Sequence, residues 1–521
     1  MRIGIDVGGT HTDAVLLSDN TVLASIKTLT TADVTGGVFN ALGSLLTQSG
    51  YAAADIDTLM IGTTQFTNAV VERKFLAPVG IIRLALPSGK GCPPLTDWPA
   101  DLAGAVGGNV YVCHGGFLYD GNPLAPVNSA EIDKVIADIN QRGIRCVAIS
   151  SPFSTMNPGP EEWVRERVLK AIPDVRVTLS HQLGSLGLLE RENSAILNAS
   201  LLPFADTVVS ALQQALRQHN FNCPVYISQN DGTLMSTRFV RQFPALTFAS
   251  GPTNSLRGAY KLTDTTDAIV VDIGGTTSDI GVLQRGFPRE SGSVVDVGGV
   301  RTNFRMPDIR AVGLGGGSLV SADGSTVGPQ SCGRELVTEA LVFGGNTLTV
   351  TDIAVASGAV SLGDPTRLAN VPRATVNNAA ARIQQLLNSN IEMMKPNAKP
   401  VPVILVGGGA VIIKGDLPAA SVTLRPEHAG VANAIGAAIA QVGGESESLQ
   451  SYRSQSREAA IEQVKQAAIS RAVAAGAQPD TLRVVDIEET DVPYMDDGIT
   501  RVRVKVVGEL GSPGNPLTGE R

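Results

Sequence analysis

Two short stretches of this 521-residue chain carry residues whose types and spacing could do chemistry. The first, Ile3 to Leu17, reads IGIDVGGTHTDAVLL, and the second, Ile269 to Leu283, reads IVVDIGGTTSDIGVL. Asp6, Gly8, Gly9, Thr10 and Asp13 return as Asp272, Gly274, Gly275, Thr276 and Asp279 at a constant offset (272 − 6 = 266), with His11 in the place of Thr277. In each copy an apolar run of strand formers ends at an aspartate. Two glycines then permit a tight turn with exposed backbone N–H groups, and hydroxyls follow. Such a hairpin can hold an anion at its tip, through Gly8–His11 or Gly274–Thr277, and has a carboxylate at its base that could hold a metal. One Asp-x-Gly-Gly-Thr is also an ordinary hairpin turn. Two copies in register, one per half of the chain, favour a pair of clamps on the two ends of a polyphosphate.

The paired hairpins resemble the actin-like ATPase fold shared by sugar kinases, acetate kinases and Hsp70 chaperones. The resemblance implies an α/β fold of duplicated, ribonuclease H-like domains around a nucleotide cleft, with ATP and Mg²⁺ as cofactors. It places Asp6 and Asp272 on Mg²⁺, directly or through water. Asp13 and Asp279 then either orient the metal shell or a nucleophile, or only stabilise their hairpins. Gly315, Gly316 and Gly317 permit close backbone approach to a ligand or form a flexible turn. Pro402–Val406 reads as a buried strand, and the following Gly407, Gly408 and Gly409 resemble the adenosine-binding turn of that fold.

Other elements must position these groups. A strand over Thr21–Leu29 and a helix near Val34–Leu46, with Val38, Leu42, Leu45 and Leu46 on one face, follow the first hairpin. Helix and strand then alternate: Ser129–Gln141, Ile144–Ile149, Pro160–Ala171, Val175–Leu179. This pattern predicts parallel strands with crossover helices. Pro87–Gly108, rich in Pro and Gly, reads as an irregular loop. A long helix runs from Glu190 to about His219, and another near Thr375–Lys395 buries Ile383, Leu386, Leu387, Ile391 and Met394.

The segment GTTQFTNAVVERK, Gly62–Lys74, narrows the resemblance to the hydantoinase/oxoprolinase family. Ser180-His181, Glu190-Arg191, Asn198-Ala199, Gln229–Gly232, Ser250–Asn254, Gly315–Ser318, Thr351-Asp352, Arg425–Gly430 and Asn433–Ala438 match its stations in order, over roughly residues 1–441. Read bare, Gly62-Thr63-Thr64 is a helix N-cap or an anion-receiving turn, and His181 is a base, a ligand or a structural group. The Gly-Phe-x-Asp segment of the family is missing near Pro87–Gly108. Membership implies an ATP-dependent hydrolase that opens a cyclic amide such as a hydantoin, oxoproline or related lactam. The γ-phosphoryl group would activate the carbonyl oxygen, since resonance makes an amide resist water. It also implies a second, larger hydantoinase-type subunit, in a hetero-oligomer, or alternatively a homo-oligomer. A small-molecule kinase of the same fold and an ATP-driven reactivase or regulatory protein remain alternatives.

Composition bounds the rest. A net charge of −8 with 17% charged residues argues against general nucleic-acid or anionic-membrane binding. No run of eighteen apolar residues is present, and the chain enters a strand at once, so neither a membrane span nor a signal peptide is expected. Five scattered cysteines without a CxxC pair fit reduced thiols in a cytoplasm. The five histidines include no His-x-His pair, and neither a G-x-S-x-G elbow nor a P-loop occurs. A zinc-barrel hydantoinase, a serine hydrolase and a P-loop enzyme are thereby disfavoured. The expected division is 1–185 and 186–442, each with one hairpin, then a polar linker and a helix-plus-strands appendage over 443–521.

Overall fold

The computed structural model describes residues 1–8, 11–19, 21–30, 34–184, 186–291, 294–492 and 499–510. Two sheets carry the two hairpins. The larger has nine strands, in the spatial order Arg483–Asp491, Ile499–Gly508, Val442–Ser451, Leu234–Ser236, Val225–Ser228, Thr58–Thr63, Arg2–Val7, His11–Ser18, Thr21–Leu29. The smaller runs Phe287–Pro288, Ser278–Gln284, Ala268–Ile273, Val401–Val406, Ala420–Leu424, with Ile309–Val312 added on Ser278–Gln284.

The predicted duplication is visible in the register. Arg2–Val7 pairs antiparallel with His11–Ser18 so that Asp6 faces Asp13, and Ala268–Ile273 pairs with Ser278–Gln284 so that Asp272 faces Asp279. Each leading strand is then joined by a parallel neighbour, Thr58–Thr63 in one sheet and Val401–Val406 in the other. Both leading strands are buried on two faces, which their unbroken apolar runs require.

Two helices lie between the sheets and cross backbone to backbone. On Gly258 of Ser250–Thr263 a Cβ would sit 1.8 Å from the Ala432 carbonyl oxygen, and on Gly436 of Ala432–Ile439 one would sit 1.9 Å from that of Asn254. The small residues of the second helix therefore do what their size suggested, and they also let it rest on Gly4 of the first hairpin, where a Cβ would be 2.2 Å from Ala434 O.

A four-stranded parallel sheet, Asn109–His114, Val79–Leu86, Cys146–Ser150, Arg176–Leu179, forms an insert between Thr58–Thr63 and Val225–Ser228. It has its own core of Ile82, Leu84, Ile132, Ile136, Val147, Ile149 and Val164. The Pro87–Gly108 stretch is more ordered than a loop, since it contains the helix Ala100–Ala105. Helix Leu188–Gln218 is long and apolar enough by composition to cross a membrane, but 61% of its most apolar window is buried inside the molecule.

The C-terminal region departs from expectation. Its supposed linker is the ten-residue strand Val442–Ser451, which starts beside Leu234 and pairs along its whole length with Ile499–Gly508. Strands Val442–Ser451, Arg483–Asp491 and Ile499–Gly508 thus extend the first sheet, and helix Arg457–Ala475 buries Val464, Ala468 and Ala472 in the same core as Ile3 and Ile5. The residues 225–236 also belong to that first sheet, so the chain enters the second half only near Ala268.

Candidate active site

Each hairpin closes in the same way. The Gly8 N–H donates to His11 O at 3.0 Å, and the Gly274 N–H donates to Thr277 O at 2.9 Å. The second tip leaves Thr276 and Thr277 exposed, while Gly9 and Thr10 of the first lie outside the described residues. Gly8, His11, Gly274 and Gly275 stand at the tips, with Asp6 and Asp272 one turn below.

The carboxylates meet beneath the tips. Asp6 and Asp13 are only 4% and 3% exposed, while Asp272 and Asp279 are half-buried. Asn254 Nδ2 donates to Asp6 Oδ1 at 3.1 Å, and Asn433 Nδ2 donates to both Asp6 Oδ2 (3.1 Å) and Asp13 Oδ2 (2.9 Å). Ser255 Oγ donates to Asp272 Oδ2 at 2.5 Å. Lys27 Nζ lies 2.5 Å from Asp13 Oδ1 and reaches toward Gly408 of the other half.

Burial and mutual repulsion oppose ionisation here. Asp6 is pushed up to about 6, chiefly by burial and further by the charges of Asp13 and Asp272, against the hydrogen bonds of Asn254 and Asn433. Asp279 is likewise raised to about 6 by burial and by Asp272. Burial also raises Asp272, against the bond from Ser255, and lowers His11, helped by Lys27.

Glycines make room for both aspartates. A Cβ on Gly62 would sit 2.2 Å from Asp6 Oδ1, and one on Gly407 would sit 2.2 Å from Asp272 Oδ1. Gly62 thus lies within strand Thr58–Thr63 and makes room for the Asp6 side chain rather than receiving a bound ligand; the helix after it, Gln65–Val71, has only seven residues and Thr64 gives no side-chain cap. Gly409 packs on the Gly274 carbonyl, where a Cβ would be 3.0 Å away.

The expected role of Gly315 and Gly316 changes. The Gly316 and Gly317 N–H groups donate to Gly274 O (3.0 Å) and Gly275 O (2.7 Å), and that of Gly315 donates to Ser318 Oγ (2.9 Å). The Gly316 and Gly317 amides are committed to bracing the second hairpin and that of Gly315 to Ser318, and Gly315 must be glycine because a Cβ there would meet Thr276 N at 2.6 Å.

The cluster fits a hard cation. Its donors are all oxygens, and the buried Oδ1 of Asn254 beside Asp6 has no hydrogen-bond partner. Among the described residues no group of three or more His, Cys, Asp or Glu could hold a metal alone. Asp6 and Asp272 would thus share Mg²⁺ with phosphate oxygens, the usual arrangement for that ion.

Lys27 and Ser255 stand outside every motif of the sequence, and Asn433 stands only within the Asn433–Ala438 station, which assigns it no role at the site. Its signal is that it is the one polar side chain in the helix Ala432–Ile439. His181 is bound through Nδ1 to the fully buried Glu161 at 2.8 Å.

Residues 2–172 match the model of the hydantoinase/oxoprolinase N-terminal region and residues 191–398 the model described as hydantoinase/oxoprolinase. The chain belongs to the hydantoinase/oxoprolinase family. Among curated members it is 26% identical over 424 residues to "Caprolactamase subunit alpha" of Pseudomonas jessenii, covering 75% of this chain and 59% of that protein. It is 25% identical over 397 residues to "Acetophenone carboxylase gamma subunit" of Aromatoleum aromaticum, covering 69% and 53%. The chain therefore spans somewhat over half the length of these relatives. The solved ATP-dependent caprolactamase of Pseudomonas jessenii superposes with a TM-score of 0.80 at 20% identity, over 98% of this chain and 88% of that one. A nucleotide-free acetone carboxylase structure gives 0.66 at 18%, with the same coverage. The chain shares the α/β fold of these two solved structures.

Proposed function

We propose that the chain is the nucleotide-using part of an ATP-dependent enzyme that opens a cyclic amide. The observation that carries the reading is the joining of both hairpin aspartates, Asp6 and Asp272, through the consecutive residues Asn254 and Ser255. Two clamps tied to one helix suit the two ends of one triphosphate. ATP bound with Mg²⁺ would supply the phosphoryl group that activates the ring carbonyl.

The chain's own contribution is positioning and charge balance. The second hairpin tip offers the exposed hydroxyls of Thr276 and Thr277 to phosphate oxygens, while the Gly8 and Gly274 N–H groups close their own hairpins. Asp6 and Asp272 hold the cation, with Asn254 and Asn433 fixing the rotamer of Asp6. Gly407–Gly409, beside Asp272, receive the adenosine. Since Asp6 and Asp13 are almost fully enclosed, the two halves part to admit the nucleotide.

Membership in a family of lactam-acting and carboxylating subunits supports the substrate class and a second subunit in a hetero-oligomer. Phosphate release in the presence of Mg²⁺-ATP, screened against lactams, hydantoins and oxoproline with and without a partner subunit, tests the reading. Release that no ring stimulates in either setting would defeat it.

A further inference from the structure

The two hairpins share their carboxylates but differ at the next strand. In the first, Asp6 faces Asp13 and Asp13 faces Lys27, so three neighbouring strands set two carboxylates and an ammonium in one row. Residues opposite one another on adjacent strands lie on one face of the sheet. In the second, Asp272 faces Asp279 and Asp279 faces Ala311, so the corresponding row ends without a cation. The duplication repeats the aspartates and not the lysine.

This single lysine serves both halves. Its Nζ lies 2.5 Å from Asp13 Oδ1, and a Cβ on Gly408 of the second half would lie 3.7 Å from its Cε. Its charge acts on Asp272 as well as on Asp13. Among the described residues, Lys27 is the one cation in ion-pair contact with any of the four hairpin aspartates.

Carboxylates gathered in a buried cluster repel one another, and one ammonium offsets only part of their charge. Lysine carries a compact charge on a flexible four-carbon stem. The Lys27 side chain is 34% exposed, against 4% for that of Asp13, so the ammonium can swing into the cleft while the carboxylates stay. A divalent cation held by Asp6 and Asp272 would repel this ammonium. The two cations therefore compete for one cluster. A triphosphate relieves the competition, because its oxygens can take the ammonium from Asp13 while the metal takes its place.

We propose that Lys27 is the built-in counter-ion of the aspartate cluster. Its ammonium and a free divalent cation exclude one another there, so that Mg²⁺ enters together with a triphosphate and not alone. The inference rests on the reading of Asp6 and Asp272 as cation ligands given above, and it makes metal binding conditional on nucleotide.

Titration of the full chain with Mn²⁺ alone, followed by electron paramagnetic resonance, tests this without any turnover, since Mn²⁺ shares the preference of Mg²⁺ for oxygen ligands. Lys27→Met and Lys27→Gln remove the charge and should each tighten Mn²⁺ binding by about tenfold or more. Lys27→Arg keeps the charge and should stay within about threefold of wild type. Thermal unfolding by circular dichroism shows that each variant is folded. Mn²⁺ alone should raise the midpoint of the two neutral variants and not that of the wild type. Mn²⁺ affinity within about twofold of wild type in a folded neutral variant overturns the counter-ion. Tight binding of Mn²⁺ alone by the wild type does the same. Tightened binding in the neutral variants, with no ring-stimulated phosphate release in the wild type, would support the counter-ion and defeat the amide-opening function. Unchanged Mn²⁺ binding beside ring-stimulated release would do the reverse.

Discussion

Asn254 and Ser255 are neighbours in the chain yet serve opposite hairpins, the first donating to Asp6 at 3.1 Å and the second to Asp272 at 2.5 Å. Successive positions on a helix point about 100° apart, so a helix set edge-on between two sheets can address one with each side chain. The two phosphate clamps are thereby linked through a single rigid element, and a shift of this helix moves both aspartates.

Removing either link should therefore weaken nucleotide binding. Hydrogen bonds to charged groups contribute about 1.5–3 kcal/mol. Asn254→Ala and Ser255→Ala are expected to lower Mg²⁺-ATP affinity roughly ten- to hundredfold by calorimetry at pH 7.5. Affinity within twofold of wild type in both variants would detach the helix from the site.

Gly62→Ala should damage the site from a residue that never touches ligand. Its Cβ would fall 2.2 Å from Asp6 Oδ1 and 2.4 Å from Asn254 Nδ2, so the carboxylate or the strand must move. A loss of about 3 kcal/mol is expected in urea unfolding, in the range of overpacked cores, together with lost Mg²⁺ dependence. Gly43→Ala is the control. It lies exposed in helix Val34–Ser49 with nothing within 4 Å of a new Cβ, and should stabilise by about 0.5–1 kcal/mol. Equal stability of the two variants would refute the steric argument.

The raised carboxylates give a pH signature of definite sign. Asp279 titrates near 6 in the folded chain, against about 3.9 unfolded. The native state thus binds the extra proton between these values, and its stability from this group falls as pH rises through that window. Asp279→Asn should raise the melting temperature at pH 8, by up to about 3 kcal/mol of stability. The gain should fade below pH 6 and vanish near pH 4. A pH-independent difference would mean that Asp279 is ionised throughout.

The C-terminal strands are expected to be indispensable. Lys505, 7% exposed, binds Asp231 at 2.9 Å, and Arg503 binds Glu290 at 2.6 Å and Glu445 at 2.7 Å. Burial alone would raise Asp231, but the charge and bond of Lys505 together with the hydrogen bonds from Thr233 hold it below the usual carboxylate range. Lys505→Met leaves that charge unpaired and should cost about 3–5 kcal/mol in urea unfolding. A chain ending at residue 442 should be insoluble, because it strips Val464, Ala468, Ala472, Val502, Val504 and Val506 from the core they share with Ile3 and Ile5. A soluble, ATP-binding truncation would show the region to be an appendage after all.

Local signals were strong wherever one segment settles its own geometry. The two Asp-x-Gly-Gly-Thr hairpins, the strand Thr21–Leu29 and the helix Ser129–Gln141 were all readable, because period and turn chemistry act over a few residues. Val442–Ser451 was misread as a linker because VGGESESLQS lacks the apolar weight of a buried strand, although it lies in the middle of a sheet. Its burial follows from partners far away in sequence, including Arg503 opposite Glu447.

The sequence by itself determined that two matched turns exist, each with an aspartate at its base and glycines at its tip, because these are properties of contiguous residues. Only the tertiary structure decided what those aspartates meet. Asn254, Ser255, Asn433 and Lys27 come from other elements, and Gly62 and Gly407 are small because of atoms that approach across a strand. It also moved Gly315 and Gly316 from ligand to buttress, since an N–H group already donating within the protein has no hydrogen left to offer a nucleotide.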